Sequence, residues 1–428
     1  MSAGAIRVGM LGCGNVGGAL VEILTTQADA IEARTGLRFD VKAIAVRSTS
    51  KERPSAVPTG LLTTDAEAVV ADPDIDVIVE LIGGIEPARG LILAALKAGK
   101  PVVTGNKEML ANVGTELGEA AVTAGVDLLY EASVGGGIPL IRPLRESLAG
   151  ERITRVMGIL NGTTNYILTR MSEAGISYHA ALAEAQQLGF AERDPTADVE
   201  GYDAAAKAAI VATIAFGAGV VAGDVSREGM SSITAEDIAF ADRLGYVVKL
   251  LAVAEAIGDE VAVRVHPAMI PKTHPLASVR EAFNAVFVEG AAVGELMLYG
   301  RGAGGMPSAS AVLGDLIDAA HNLRSGGGGR AVTTTRARIR PIDDLRSQYY
   351  LNLEVADLPG VLAQVAGVFG DHGVSIRSME QQGLGDEARL VFITHVAVER
   401  DFQACLHDLR ELDTVDRVGT MLRVIGSE

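Results

Sequence analysis

A chain of 428 residues, 48% hydrophobic and 21% charged, with a mean hydropathy of +0.28, has the composition of folded globular domains and excludes disorder and collagen-like repeats. At roughly 150 residues per domain its length suggests about three of them. Lys and Arg number 37 against 54 Asp and Glu, a formal charge of −17, which excludes a surface built for a nucleic-acid backbone; two cysteines, Cys13 and Cys405, exclude a disulfide framework, and no Cys/His cluster has zinc spacing, so a reducing cytoplasm is the default.

In chain order, the apolar Met1 to Leu24 carries Arg7 as its one basic residue, and its glycines recur at fixed offsets, so it reads as mature structure rather than an export signal. From Ala5 to about Ser133, short β-rich runs (Ile6 to Leu11, Val41 to Val46, Asp76 to Leu81, Pro101 to Val103, Val126 to Tyr130) alternate with helical segments such as Ala19 to Ile31 and Pro87 to Ala98. Near-continuous apolar strands separated by helices predict an α/β, doubly wound parallel sheet of Rossmann type over residues 1–133. Residues 134–308 change texture: helical stretches (Tyr178 to Leu188, Gly201 to Phe216, Ile233 to Leu244) precede strands (Val248 to Ile257, Val261 to Ile270, Ala285 to Glu289, Gly294 to Tyr299), an α+β domain suited to substrate binding and oligomerisation. The uncharged stretch Ala208 to Ala222 falls short of the ~20 residues of a membrane span and is broken by Gly217 and Gly219; a buried helix, a candidate subunit interface, is the better account. A helix over 309–325 is expected to complete the first domain. The glycine run and Arg/Thr-rich stretch of 326–348 read as a solvated linker. Residues 349–428 follow the order βαββαβ, a ferredoxin-like module.

Chemistry enters at Gly12-Cys13-Gly14-Asn15-Val16-Gly17, directly after the first strand and opening a helix. Gly12 permits the turn, Gly14 admits a pyrophosphate, Gly17 lets helix and strand pack closely, and Asn15 and Val16 bring the helix N-terminus to the phosphates; a dinucleotide site is expected. Cys13 is read as a small residue that fits, with any redox role open. At the end of the second strand, where an acidic residue would bind a ribose 2′-hydroxyl, stand Arg47 and nearby Lys51, which suit a 2′-phosphate and favour NADP over NAD. The long spacing from the glycine loop is ascribed to an insertion around Thr35 to Arg38. An exposed arginine without a ligand is the plain alternative.

The second constellation runs from Gly189 to Lys207. Asp203 and Lys207 are four residues apart at the start of an apolar helix, so they share one face, and a fixed ammonium can protonate a carbonyl oxygen as hydride arrives. Glu192, Asp194 and Asp198 precede them as an anionic cluster suited to a substrate amino group. The competing reading is a solvated acidic loop; an idle charge leading into so apolar a helix would be costly.

Together with Asn161-Gly162-Thr163-Thr164-Asn165-Tyr166-Ile167-Leu168, Thr104-Gly105-Asn106-Lys107 and Gly302-Ala303-Gly304-Gly305-Met306-Pro307, this block resembles the homoserine dehydrogenase family over about residues 5 to 325. The resemblance implies reduction of L-aspartate 4-semialdehyde to L-homoserine, in the biosynthesis of threonine, methionine and isoleucine. It makes Lys207 the acid/base, Asp203 its partner and a substrate contact, and Glu192 and Asp198 substrate ligands. Lys107 would stand at the junction of nicotinamide and substrate, and Gly189 and Gly304 at the cofactor. It also implies a monovalent cation, Na⁺, within Glu131-Ala132-Ser133-Val134-Gly135-Gly136-Gly137-Ile138, held by the Glu131 carboxylate and the carbonyls of Val134, Gly136 and Ile138.

The turn Asp357-Leu358-Pro359-Gly360 between strand and helix resembles that of an ACT regulatory domain, with Asp357 and Gly360 at the site of an amino-acid effector, threonine by the family's pattern. A module that only dimerises is the alternative; either way a homodimer or homotetramer is expected. The rivals to the whole reading are another amino-acid dehydrogenase of similar build and a cofactor-binding sensor without turnover. The intact set of Lys107, Glu192, Asp203 and Lys207 argues against the sensor.

Overall fold

The computed structural model describes residues 4–328, 334–383 and 387–426. By packing, the chain forms two compact units, each assembled from separated stretches: Met1–Val156, Ala206–Asp224 and Asn284–Ala337 in the first, Met157–Ala205, Val225–Phe283 and Arg338–Glu428 in the second.

The first unit is built on a six-stranded sheet ordered Leu62–Thr63, Phe39–Ala45, Ile6–Leu11, Val77–Glu80, Val102–Thr104, Leu128–Leu129, the 3-2-1-4-5-6 order of dinucleotide-binding sheets. Every pairing is parallel. The central strands are short and largely apolar because both faces are covered, while Phe39–Ala45 opens to solvent at Asp40 and Lys42. On one face Val8, Met10, Val77 and Val79 pack under Leu20 and Ile23 of the helix Asn15–Thr26 and Val312 and Leu316 of the helix Gly305–Ser325. On the other, Leu11, Ile78 and Val102 meet Val69, Ile92 and Leu117 of the helices Ala66–Ala71, Ala88–Lys97 and Lys107–Ala124. The helix foreseen over Ala19 to Ile31 is two helices, Asn15–Thr26 and Ala28–Thr35, meeting at Gln27. The second of these, closed by the left-handed Gly36, lengthens the path to the second strand, so the extra residues lie ahead of Thr35 to Arg38 rather than within it.

The second unit carries the mixed run of strands Tyr246–Ile257, Glu260–Pro271, Val415–Val424, Arg346–Ala356, Glu387–Thr394 and Ile376–Gly383. The first two form a hairpin in unbroken antiparallel register from Tyr246↔Pro271 to Ile257↔Glu260, closed by Gly258 (φ 65°) and Asp259. The last four strands, with the helices Val361–Asp371 and Glu399–Arg410, form the βαββαβ module around Tyr349, Leu351, Val365, Phe392 and Phe402. Its first strand begins at Arg346, within the stretch read as linker; residues 329–333 of that stretch lie outside the described residues.

The module does not stand apart. Its last strand pairs in parallel with Glu260–Pro271 through Ala268↔Arg423 and Met269↔Val424. Arg423, 1% exposed, donates to Glu399 at 2.8 and 3.0 Å and pairs with Glu228 at 2.8 Å. Buried Asp237, in the capping box of the helix Ala235–Arg243, accepts from Tyr350 Oη (3.1 Å), Asn352 Nδ2 (3.3 Å) and Thr420 Oγ1 (2.6 Å). Among the described residues no helix is long and apolar enough to cross a membrane.

Candidate active site

At the end of the first strand Gly12 adopts φ 98°, and its N–H donates to Ala45 O at 2.8 Å. A Cβ there would lie 2.5 Å from Leu81 O, so the turn accepts glycine alone. At Gly17 a Cβ would lie 2.9 Å from Gly12 O, whereas nothing stands within 4 Å of one at Gly14, whose open face suits the approach of a phosphate. Asn15 and Val16 open the helix. A cavity of about 480 Å³ extends from Gly12, Cys13 and Gly14 to Arg47, Lys51 and Arg53. Burial pushes the Cys13 thiol upward, away from the reactive thiolate. Arg53, which sequence reasoning passed over, donates to Ser48 O and Lys51 O at 2.8 Å each and so folds the cationic loop upon itself. The third cation of a seven-residue stretch was the available signal.

Lys107 owes its place to buried polar groups. Fully buried Glu80 accepts from Thr104 Oγ1 (2.6 Å) and from Ile82 N (2.7 Å), fixing the turn after its strand. Asn106 caps the helix Lys107–Ala124 through Met109 N and donates to Gly84 O at 2.6 Å. Lys107 is therefore the first residue of its helix. It shares a cavity of about 290 Å³ with Val16, Ser133, Lys207, Gly302 and Ala303. Lys207 is 8% exposed, on the continuous helix Tyr202–Phe216 that also carries Asp203. Four residues along a helix place these two side chains one turn apart on one face.

In the loop after the sixth strand, Gly135 and Gly136 take φ 77° and 54°, and a Cβ on Gly136 would lie 2.5 Å from Gly302 O. The Glu131 carboxylate, expected to face a cation, accepts the backbone N–H groups of Leu140 (2.5 Å), Ile141 (2.8 Å) and Arg142 (2.8 Å). Its oxygens thus already close the following helical turn. Asp315 accepts from Glu131 N at 2.7 Å, and burial pushes its carboxyl up to about 7. Among the described residues no group of three or more His, Cys, Asp and Glu is placed to hold a metal ion. Gly304, at φ 128°, precedes the helix Gly305–Ser325.

In the second unit Asn161 brings Asp198 and Asp203 together, donating to them at 2.6 and 2.9 Å. Asp203 is buried and Asp198 half-buried. Glu192 is exposed, and its backbone oxygen accepts from Gln186 Nε2 at 3.0 Å. Asp194 accepts from Thr196 Oγ1 (2.6 Å) and N (3.1 Å), bonds that hold its carboxyl below the usual range and mark it as a local turn-former. Gly189 (φ 77°) ends the helix Tyr178–Gln187, which accounts for a glycine there without a ligand. In the C-terminal module Gly360 (φ 94°) precedes the helix Val361–Asp371, and Asp357 and Gly360 line a cavity of about 450 Å³ with Gln381 and Leu390.

Comparison with known proteins matches residues 12–131 to the homoserine dehydrogenase NAD-binding domain, 139–317 to homoserine dehydrogenase and 349–414 to the ACT domain. The homoserine dehydrogenase of Mycobacterium tuberculosis is 47% identical over 434 aligned residues, covering 99% of this chain and 98% of its own. The crystal structure of a homoserine dehydrogenase from Thiobacillus denitrificans superposes with a TM-score of 0.93 at 41% identity, covering 99% of this chain and 98% of that one. A hyperthermophilic archaeal homoserine dehydrogenase in complex with NADPH covers 74% of this chain and 98% of its own at a TM-score of 0.64 and 28% identity. With a nicotinamide-binding sheet, a buried lysine facing the cavity beside it and this likeness along nearly its whole length, the chain belongs to the homoserine dehydrogenase family, NAD(P)-dependent oxidoreductases acting on the CH–OH group, and carries an ACT domain at its C-terminal end.

Proposed function

We propose that the chain carries out its reduction of L-aspartate 4-semialdehyde with NADPH, with Lys207 as the proton donor. The observation that carries this reading is the shared cavity of Lys107 and Lys207, which includes Val16 from the helix that opens the dinucleotide loop. Hydride transfer is the chemistry a bound nicotinamide supplies. As the aldehyde carbon gains hydride, Lys207 Nζ gives its proton to the carbonyl oxygen, and in the reverse direction it takes the hydroxyl proton. Such proton transfer contributes about 10²- to 10⁴-fold, and positioning by neighbouring groups adds to it. Asp203 orients Lys207 from one turn earlier on the helix. Asp203, Asp198 and Glu192 receive the substrate's amino group, and Lys107 holds the substrate against the nicotinamide.

Arg47 and Lys51, with Arg53 bracing their loop, make a cationic end to the dinucleotide cavity that suits a 2′-phosphate. A monovalent cation, Na⁺, fits the loop Glu131 to Ile138 in one respect: two successive left-handed glycines curl it so tightly that a side chain at Gly136 is excluded. Backbone oxygens of Glu131, Val134, Gly136 and Ile138 would hold it, since the Glu131 carboxylate already serves three amides. Threonine would bind at the Asp357 to Gly360 turn, in a homodimer or homotetramer working in the cytoplasm. The test is the absorbance change of NADP⁺ with L-homoserine, repeated with NAD⁺, with threonine added and with Na⁺ replaced by choline. Turnover preferring NADP⁺ and suppressed by threonine supports the reading. A preference for NAD⁺ overturns the role of Arg47 and Lys51, indifference to threonine overturns the effector, and indifference to Na⁺ overturns the cation.

A further inference from the structure

Asn161 has no part in the proton and hydride chemistry, but its side chain touches two residues assigned to the substrate. It is 5% exposed, and all of its hydrogen-bonding capacity is committed. Oδ1 accepts from Thr164 N (2.9 Å) and Thr164 Oγ1 (3.1 Å), capping the helix Gly162–Ala174. Nδ2 donates one hydrogen to Asp198 Oδ1 (2.6 Å) and the other to Asp203 Oδ2 (2.9 Å). Both carboxylates therefore share one neutral amide group. Turning the amide over would set its oxygen against two carboxylates and its nitrogen against the Thr164 N–H, so the cap fixes which end meets the acids. The ground beneath is equally fixed. Asn165, one turn on, donates to Glu281 O (2.8 Å) and Phe283 O (3.2 Å) and accepts from Lys249 Nζ (2.8 Å). A Cβ at Gly162 would lie 2.7 Å from Ala282 O.

We propose that Asn161 is a positioning residue that holds the Asp198 and Asp203 carboxylates at a fixed separation, presenting a preformed anionic pair to the substrate's amino group. Two like charges this close repel, and an amide with both hydrogens engaged keeps them together and ionised without adding a charge that would compete for the substrate. The inference rests on the reading of Asp198 and Asp203 as substrate ligands.

The experiment separates capping from holding. Asn161→Ser and Asn161→Asp both keep an oxygen for Thr164 N, and both residues are good helix caps, but neither has the NH₂ group. The expected result is a KM for L-homoserine raised about tenfold or more, the scale of a lost donor to a charged group, with NADPH affinity and melting temperature near those of the parent. The acid limb of the kcat/KM profile moves to higher pH, because carboxylates without their donor hold protons more readily; Asn161→Asp, with a third carboxylate, moves it further. Should the serine variant fail to fold, the isosteric aspartate variant carries the same readouts. An unchanged KM and acid limb in these variants, while Asp198→Asn and Asp203→Asn each raise KM, overturns the positioning role alone. If Asp198→Asn and Asp203→Asn leave KM unchanged, the substrate reading falls and the inference with it.

Discussion

Replacing Lys249 with Met should change how the stability of the second unit depends on pH. The Lys249 amine lies on the strand Tyr246–Ile257, donating to Asn165 Oδ1 at 2.8 Å and Val279 O at 2.5 Å. Burial first, then the Arg280 charge, pushes it down to about 8, against the opposing pull of Glu173. Between about 8 and the unfolded value of 10.5 the folded chain holds this amine neutral while the unfolded chain holds it protonated. Folding then releases a proton, so raising the pH stabilises the fold. At 1.36 kcal/mol per pH unit, the interval amounts to ~3 kcal/mol, gained as pH rises from 8 to 10.5 and absent below 8. Near neutral pH, Lys249→Met removes a buried charge but takes the donor from Asn165 Oδ1 at ~1–3 kcal/mol, Val279 O keeping a long bond from Asn165 Nδ2 (3.4 Å), so the two effects oppose each other there. The informative quantity is the difference between parent and variant in urea unfolding, followed from neutral to alkaline pH, because other titrating groups cancel in it. It should widen in the parent's favour by ~3 kcal/mol across the window. Parallel curves would refute the reasoning and mean that the amine stays charged in the folded chain.

Lys207→Ala should lower turnover by at least about 10²-fold with NADPH affinity unchanged by fluorescence titration, and equal turnover removes it as the acid. Arg47→Asp should shift the kcat/KM ratio from NADP⁺ toward NAD⁺. Arg53→Met should do so more weakly, by loosening the loop, and an unaltered ratio in both clears these residues of the role. Arg423→Met leaves the Glu399 carboxylate, with 3% of its side chain exposed, without its cation. It should cost ~3–5 kcal/mol; Glu399→Gln added to it should recover part of the loss, and a melting temperature equal to the parent's would show the pair to be dispensable.

The first sheet was legible because its central strands are buried on both faces and its strands are separated by helices, a pattern that survives errors of two residues at each end. The module after residue 345 was legible for the same reason, its alternation of strand and helix being dense. What escaped was the strand Ile153–Ile159 and the helix Gly162–Ala174. The helix begins with threonines and asparagines of weak helical propensity and is held by tertiary bonds from Asn165 rather than by local preference. At the site, the placing of Asp203 and Lys207 on one face was readable from a single helical turn, whereas Lys107 entered only through the likeness of its motif to a family. Asn161 was quoted in a signature but given no task, since the carboxylates it binds lie 37 and 42 residues further on. Glu80 and Arg53 act through backbone atoms of folded turns, which no spacing in a sequence reveals. The amide partners of the Glu131 carboxylate come from a turn with no sequence mark.

The parallel pairing of Val415–Val424 with Glu260–Pro271 bears on anyone who would cut the ACT domain away from this chain. Truncation would not leave a clean stump. It would uncover the Ala268 and Met269 end of the strand Glu260–Pro271, deprive Asp237 of the donors Tyr350, Asn352 and Thr420, and remove Arg423 from Glu228. An uncovered strand end beside acids that have lost donors is a recipe for sticking to neighbouring copies and for a weakened second unit. Single changes in the exposed turn from Asp357 to Gly360 leave that seam intact.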